Sequence, residues 1–161
     1  VLTSAHLGRV ELAVAGSTGS PLVKQCQNLG VQAVLRQSGK DLGERMYNAL
    51  ATGLQRHPKV ILVGSDSPQI DRQYLKSAID ALDSCDVVLG PAEDGGYVLV
   101  GVSQLDTRWF EGVNWGTATV YAETVGRFEL TGASWQHLAV LQDIDRPEDL
   151  PLWRTIVAQG H

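Results

Sequence analysis

The sequence predicts an α/β domain, a doubly wound and mostly parallel sheet with helices on both faces. Three observations carry that expectation. Short apolar runs rich in β-branched residues recur along the chain (VELAVA, VQAVL, VILV, VVL, VLVGV). Segments with helical periodicity separate most of them, the alternation that parallel strands and crossover helices produce. The chain has 161 residues, enough for one sizeable core. No repeat, low-complexity tract or linker interrupts the pattern, so one domain over 1–161 is expected.

Residues 10–15 read as a buried strand closed by the turn cluster Gly16-Ser17-Thr18-Gly19-Ser20. Pro21 opens a short helix to Leu29, and Gly30 is placed to end it. A strand over 31–35 follows. Leu42, Met46, Leu50 and Leu54 recur every four residues, which predicts an amphipathic helix over 41–57 with Asp41 near its start and Pro58 as its stop. Residues 60–63 are wholly apolar and mostly β-branched, as in the middle of a sheet covered on both faces. Asp71 can cap a helix whose inner face is Leu75, Ala78, Ile79 and Leu82. Strands at 87–89 and 98–102 flank an Asp-Gly-Gly turn. Thr117 can cap a helix that buries Val120, Tyr121, Thr124, Val125 and Phe128. Residues 138–141 read as a last strand, leading to Asp143-Ile144-Asp145. A helix start follows, with Asp145 as N-cap and Glu148 at its third position, and Pro151 disturbs that helix.

The formal charge of −5 and the lack of any Lys/Arg cluster argue against a nucleic-acid partner. They leave a nucleotide open, because a metal ion can neutralise phosphates where the protein supplies carboxylates. No apolar run is long enough to span a membrane and no leader pattern is seen, so a cytoplasmic location is expected. Cys26 and Cys85 sit at no metal or redox spacing and read as buried free thiols. The four histidines show no ligand spacing, and nothing points to a nucleophilic triad.

Ligands of open α/β sheets lie beyond the carboxyl ends of strands. Asp66 stands there, directly after VILVGS, where it could reach a bound cation or simply cap a turn. Asp94-Gly95-Gly96 is a hairpin signal, and its glycines would also let a ligand approach the backbone. Asp143 and Asp145 share one side of an extended segment; with Asp66 they could bind Mg²⁺ or Mn²⁺, while Asp145 could equally be only a helix cap. Trp115, in an irregular loop, could stack on a sugar or base or anchor the loop. Arg45 could contact a phosphate or pair with Asp41 one turn away.

In the order QSGKDLGERM, VILVGSDSP, DVVLGPAEDGGYVLVGV, NWGT and DIDRPEDL, these segments resemble the DUF2064 proteins. These are bacterial glycosyltransferase-like members of the nucleotide-diphospho-sugar transferase (GT-A) superfamily. The resemblance implies a metal-dependent transferase acting on a nucleotide-diphospho-sugar or NTP, with an unidentified small-molecule acceptor. It implies metal binding by Asp66 and Asp145, and a role for Asp94 in orienting the acceptor or as base. It also places Gln37, Asp41, Arg45, Gly95, Gly96, Tyr97 and Trp115 about the nucleotide and acceptor. Such proteins begin with a strand and a basic glycine-containing loop, whereas this sequence opens with VLTSAHLGRVELAVAG, so an N-terminally shortened sheet is expected. A gap in that sheet would be closed by direct pairing of its neighbours or by a partner strand, and would favour self-association. Two alternatives stand beside the transferase: a non-catalytic remnant serving as a binding or oligomerisation module and, more weakly, a D-x-D phosphoryl enzyme.

Overall fold

Two strand ladders, not one, organise the structure, a computed structural model that describes residues 7–65 and 67–142. In the smaller, β1 (Glu11–Val14) runs parallel to β2 (Ala33–Arg36). The helix between them, α1 (Pro21–Asn28), starts where the Ser20 hydroxyl accepts the Val23 amide and Pro21 takes the first position. Helix α2 (Leu42–Leu54) leads to the larger ladder, which holds β3 (Val60–Val63), β4 (Val87–Pro91), β5 (Tyr97–Val102) and β6 (Trp135–His137) in the order β3-β5-β4-β6. Helix α3 (Arg72–Ala81) joins β3 to β4. A 3-10 turn (Thr107–Trp109) and α4 (Val120–Thr131) join β5 to β6.

The larger sheet is mixed, which corrects the mostly parallel expectation. β5 is antiparallel to both β3 and β4, and β6 is parallel to β4. The Asp-Gly-Gly turn is the cause: a tight hairpin after β4 must send β5 back the other way. The expectation of helices on both faces holds. Leu50 of α2 and Phe128 of α4 pack with Val87, Leu89, Val100 and Val102 on one face. Leu75 and Ala78 of α3 pack with Val88 and Leu99 on the other.

Local expectations change as well. β3 lies at an edge of its sheet and is only half-buried, although its sequence reads as a central strand. The amide of Gly64 donates to the carbonyl of Val98, so alternation turns the backbone groups of Ile61 and Val63 away from β5. No described strand pairs with that edge, and β1 and β3 do not pair directly. The last strand lies at 135–137 instead of 138–141, because Asp86 takes the Ser134 hydroxyl at 2.6 Å and amide at 2.9 Å and aligns the following residues with β4. Helix α4 starts at Val120 after Thr119, two residues beyond the expected cap. Of the two thiols, Cys85 is buried and Cys26 only half-buried.

A bulge in β5 aims the next residue. Gly90 pairs with Leu99, but Pro91 pairs with Tyr97, leaving Val98 as an extra residue. Val98 therefore joins the α3 face, and Tyr97 swings to the face that α2 and α4 cover.

Candidate functional site

The carboxyl ends of β3, β4 and β6 and the amino end of β5 share one end of the sheet, as their directions require. Three loops meet there. Leu141 rejoins the sheet beside Ala92, its amide donating to Pro91 and its carbonyl accepting from Glu93. Gln142 then links the set: its amide donates to the Gln69 side chain at 3.1 Å, and its side chain donates to the Glu93 carboxylate at 2.8 Å. Loops 64–69 and 92–96 and segment 139–142 contain no Lys or Arg. The expected metal ligands Asp66 and Asp145, and Asp143 beside them, lie outside the described residues. Among the described residues no group of three or more His, Cys, Asp or Glu converges as a metal cluster.

The 92–96 turn is built by its own residues. Asp94 Oδ1 accepts the Gly96 amide at 2.8 Å, and the Gly95 amide donates to Ala92 at 3.2 Å. Gly95 has φ +89°, and its carbonyl accepts the Tyr121 amide at the start of α4. A Cβ there would lie 2.7 Å from the Ala118 carbonyl carbon and overlap its oxygen. Gly95 is thus required by the backbone of this chain.

Beyond the turn stands an aromatic series. Tyr97 meets Trp115 edge-on at 6.4 Å between ring centres, and Trp115 stacks with Phe110 at 6.5 Å. The Trp115 ring covers Gly43 of α2, where a Cβ would come within 2.7 Å of it. Trp115 therefore anchors its loop. Burial pushes the Tyr97 phenol well above its ordinary range. Its hydroxyl neighbours that of Thr124, and neither completes a hydrogen bond among the described residues.

Sequence reasoning missed the residue that organises this loop. Glu123, in the first turn of α4, accepts the amide of Asn114 at 2.8 Å, the Asn114 side chain at 2.9 Å and the Thr119 hydroxyl at 2.7 Å. These donors hold its carboxyl down at about 2, the Asn114 side chain contributing most. The only sequence signal was an acidic residue four positions after Thr119, at a helix start. Glu93 shows in the sequence only as a neighbour of the glycine turn, and Gln142 carries no signal at all.

The candidates nearest α2 have local partners. Asp41 is the N-cap, accepting the Glu44 amide at 2.8 Å, while Glu44 accepts the Lys40 amide at 2.9 Å. Arg45 donates to the Gly39 carbonyl at 3.2 Å instead of pairing with Asp41. Gln37 crosses the end of the small sheet, its side chain donating to Ala13 at 3.1 Å and its amide to Val14 at 2.8 Å. A cleft of about 450 Å³ lies beside this helix start, between Lys40, Tyr47 and Asn48 on one side and Thr107, Phe110 and Glu111 on the other. Among the described residues no helix is long and apolar enough to cross a membrane.

The family model for DUF2064, described as an uncharacterized protein conserved in bacteria, matches residues 1–117. The chain belongs to the DUF2064 family. Solved structures share the fold of the chain. One is a protein of Desulfovibrio desulfuricans G20, whose name, nucleotide-diphospho-sugar transferase, is itself provisional; it is 31% identical, with a TM-score of 0.81 over 92% of this chain. The alignment spans 66% of that protein's chain. Another is CMP:2-keto-3-deoxy-manno-octonic acid synthetase in complex with CTP, 12% identical with a TM-score of 0.55 over 96% of this chain and 82% of that one, which speaks for the fold alone. Among curated proteins nothing matches.

Proposed function

We propose that this DUF2064 domain is a metal-dependent transferase that binds a nucleotide-diphospho-sugar or NTP at the shared end of the strands. The observation that carries the reading is the junction of loops 64–69 and 92–96 with segment 139–142. Their direct hydrogen bonds join an acidic, glycine-bearing set of segments with no Lys or Arg among its described residues. A diphosphate bound there needs a counterion, and the carboxylate chemistry of these segments fits Mg²⁺ or Mn²⁺. Asp66 and Asp145 would hold that ion. When bound, it would neutralise charge developing on the leaving diphosphate. The protein's own part would be positional and electrostatic. Asp94, held by the Gly96 amide, would present its carboxylate to the acceptor as an orienting group or base. Gln37, Asp41 and Arg45 would border the nucleotide at the end of β2. Gly95, Gly96 and Tyr97 would form the wall opposite, with Trp115 bracing it. The site would lie in a cytoplasmic protein.

Calorimetric titration with UDP, GDP, CDP and their sugars, with and without Mn²⁺, tests this. The expected result is Mn²⁺-dependent binding of at least one nucleotide, abolished in Asp66→Ala. Absence of binding, or binding indifferent to that substitution, would overturn the proposal.

A second reading, a non-catalytic binding or oligomerisation module, draws on a specific observation. Gln37, Asp41, Arg45 and Trp115 all have structural partners within the chain. That reading predicts no nucleotide binding, and self-association through the open edge of β3, measurable by sedimentation.

A further inference from the structure

We infer that the cleft between the start of α2 and loop 107–112 is a binding site for a neutral polyhydroxylated ligand, a sugar or polyol. The inference goes beyond the transferase reading and does not depend on it, because every residue lining the cleft is described and neither metal nor nucleotide takes part.

The cleft is built on fixed backbone. Its floor is Gly43 of α2 and Phe110, both buried. A Cβ on Gly43 would come within 2.7 Å of the Phe110 carbonyl oxygen and of the Trp115 ring, so glycine is what lets helix and loop meet here. The wall across from α2 has supports of its own. Asp106 accepts the Arg108 amide at 2.9 Å and caps the 3-10 turn, and the Trp109 indole donates to the Thr131 hydroxyl of α4 at 2.9 Å. The volume of about 450 Å³ is that of a small-molecule site, and such sites are largely formed before the ligand arrives.

Charge narrows the ligand. Asp41 and Glu44 line the cleft, but Asp41 accepts the Glu44 amide and Glu44 the Lys40 amide, at a helix start whose dipole already favours negative charge. Lys40 on one wall and Glu111 on the other carry opposite charge and form no ion pair with each other. A phosphate would be opposed by the carboxylates, and an amine by Lys40. A hydroxyl both donates and accepts, so it suits both walls. The Lys40 ammonium and the Tyr47 and Thr107 hydroxyls make no hydrogen bond among the described residues. Asn48 donates its side-chain nitrogen to the Ser38 carbonyl at 2.9 Å, which fixes the amide and leaves its oxygen to accept. Donors and acceptors thus stand together beside the rings of Tyr47 and Phe110, the mixture of polar and aromatic surface that a sugar ring presents in complement.

Amide chemical shifts of the isotope-labelled chain, free of metal and nucleotide, test the site. The probes are D-glucose, D-galactose, D-mannose and myo-inositol, with inorganic phosphate and spermidine as charged comparators. At least one neutral probe is expected to shift the amides of Tyr47, Asn48, Thr107 and Glu111 saturably. Tyr47→Phe and Glu111→Ala each delete one polar group of the lining and should weaken that binding about 2–10-fold, with spectra otherwise unchanged. The absence of a saturable shift from every neutral probe would overturn the inference. So would an affinity unchanged in both variants, or tighter binding of phosphate or spermidine at the same amides. Because no Mn²⁺ or nucleotide is present, each of these outcomes leaves the transferase reading to its own titration.

Discussion

Substituting alanine at two adjacent glycines should separate a backbone requirement from a ligand requirement. Gly95 has φ +89°, and an added Cβ would overlap the Ala118 carbonyl; Gly96 has open space apart from the Asp94 carboxylate at 3.2 Å. For Gly95→Ala, adopting a positive φ costs about 1–2 kcal/mol. Moving the start of α4 away also breaks the bond from the Tyr121 amide, about 1 kcal/mol. The sum, about 2–3 kcal/mol, is a large fraction of a typical stability of about 5–15 kcal/mol. For a chain of this size it corresponds to a fall in Tm of about 5–10 °C. Gly96→Ala should cost less than about 1 kcal/mol. Urea unfolding followed by tryptophan fluorescence measures both. Equal effects at the two positions, or a stable Gly95→Ala protein that has lost only ligand binding, would refute the reasoning and return the turn to the ligand.

Two further outcomes follow from the same loop. The Glu123 carboxyl is held at about 2, below its ordinary 4.5, so protons bind the unfolded chain first as pH falls. Its contribution is full above about 4.5 and lost between there and about 2; Glu123→Gln should flatten the fall of the urea midpoint with pH across that window. Trp115→Ala should destabilise the fold by about 2 kcal/mol, less than for a fully buried tryptophan, and quench the change in fluorescence on unfolding; an unaltered stability would favour a ligand-stacking role.

What the sequence revealed depended on whether a feature was local. Asp41 and Asp71 proved to be N-caps, as their positions before apolar helical runs required. The hairpin at Asp94-Gly95-Gly96 was also readable, and it is this turn that makes β5 antiparallel to β4 and the sheet mixed. VILV misled because apolar content reports what could be covered, whereas the place of a strand in a sheet depends on partners elsewhere in the chain. LAVL at 138–141 was apolar enough for a strand, yet a carboxylate at position 86 set the register from far away. Trp115 stayed ambiguous until Gly43, more than seventy residues earlier, was seen beneath it. Glu93 and Gln142 matter through each other, 49 positions apart, which no local pattern announces; Glu123 had its place at a helix start as a signal, but not its bonds to Asn114.

The division of the strands into two ladders has a thermodynamic meaning. An isolated pair of strands is at best marginally stable, so β1 and β2 depend on what else holds them. In the described residues that includes the ion pair between Glu11 and Arg56, at the far end of α2. The pair should therefore open at lower free energy than the β4–β5 ladder, as a separate cooperative unit in hydrogen exchange. A ligand touching both Gln37, at the end of the small sheet, and the 92–96 turn would have to fasten that unit first. Part of its binding energy would be spent on order, and its affinity would rise as the small sheet was made more rigid.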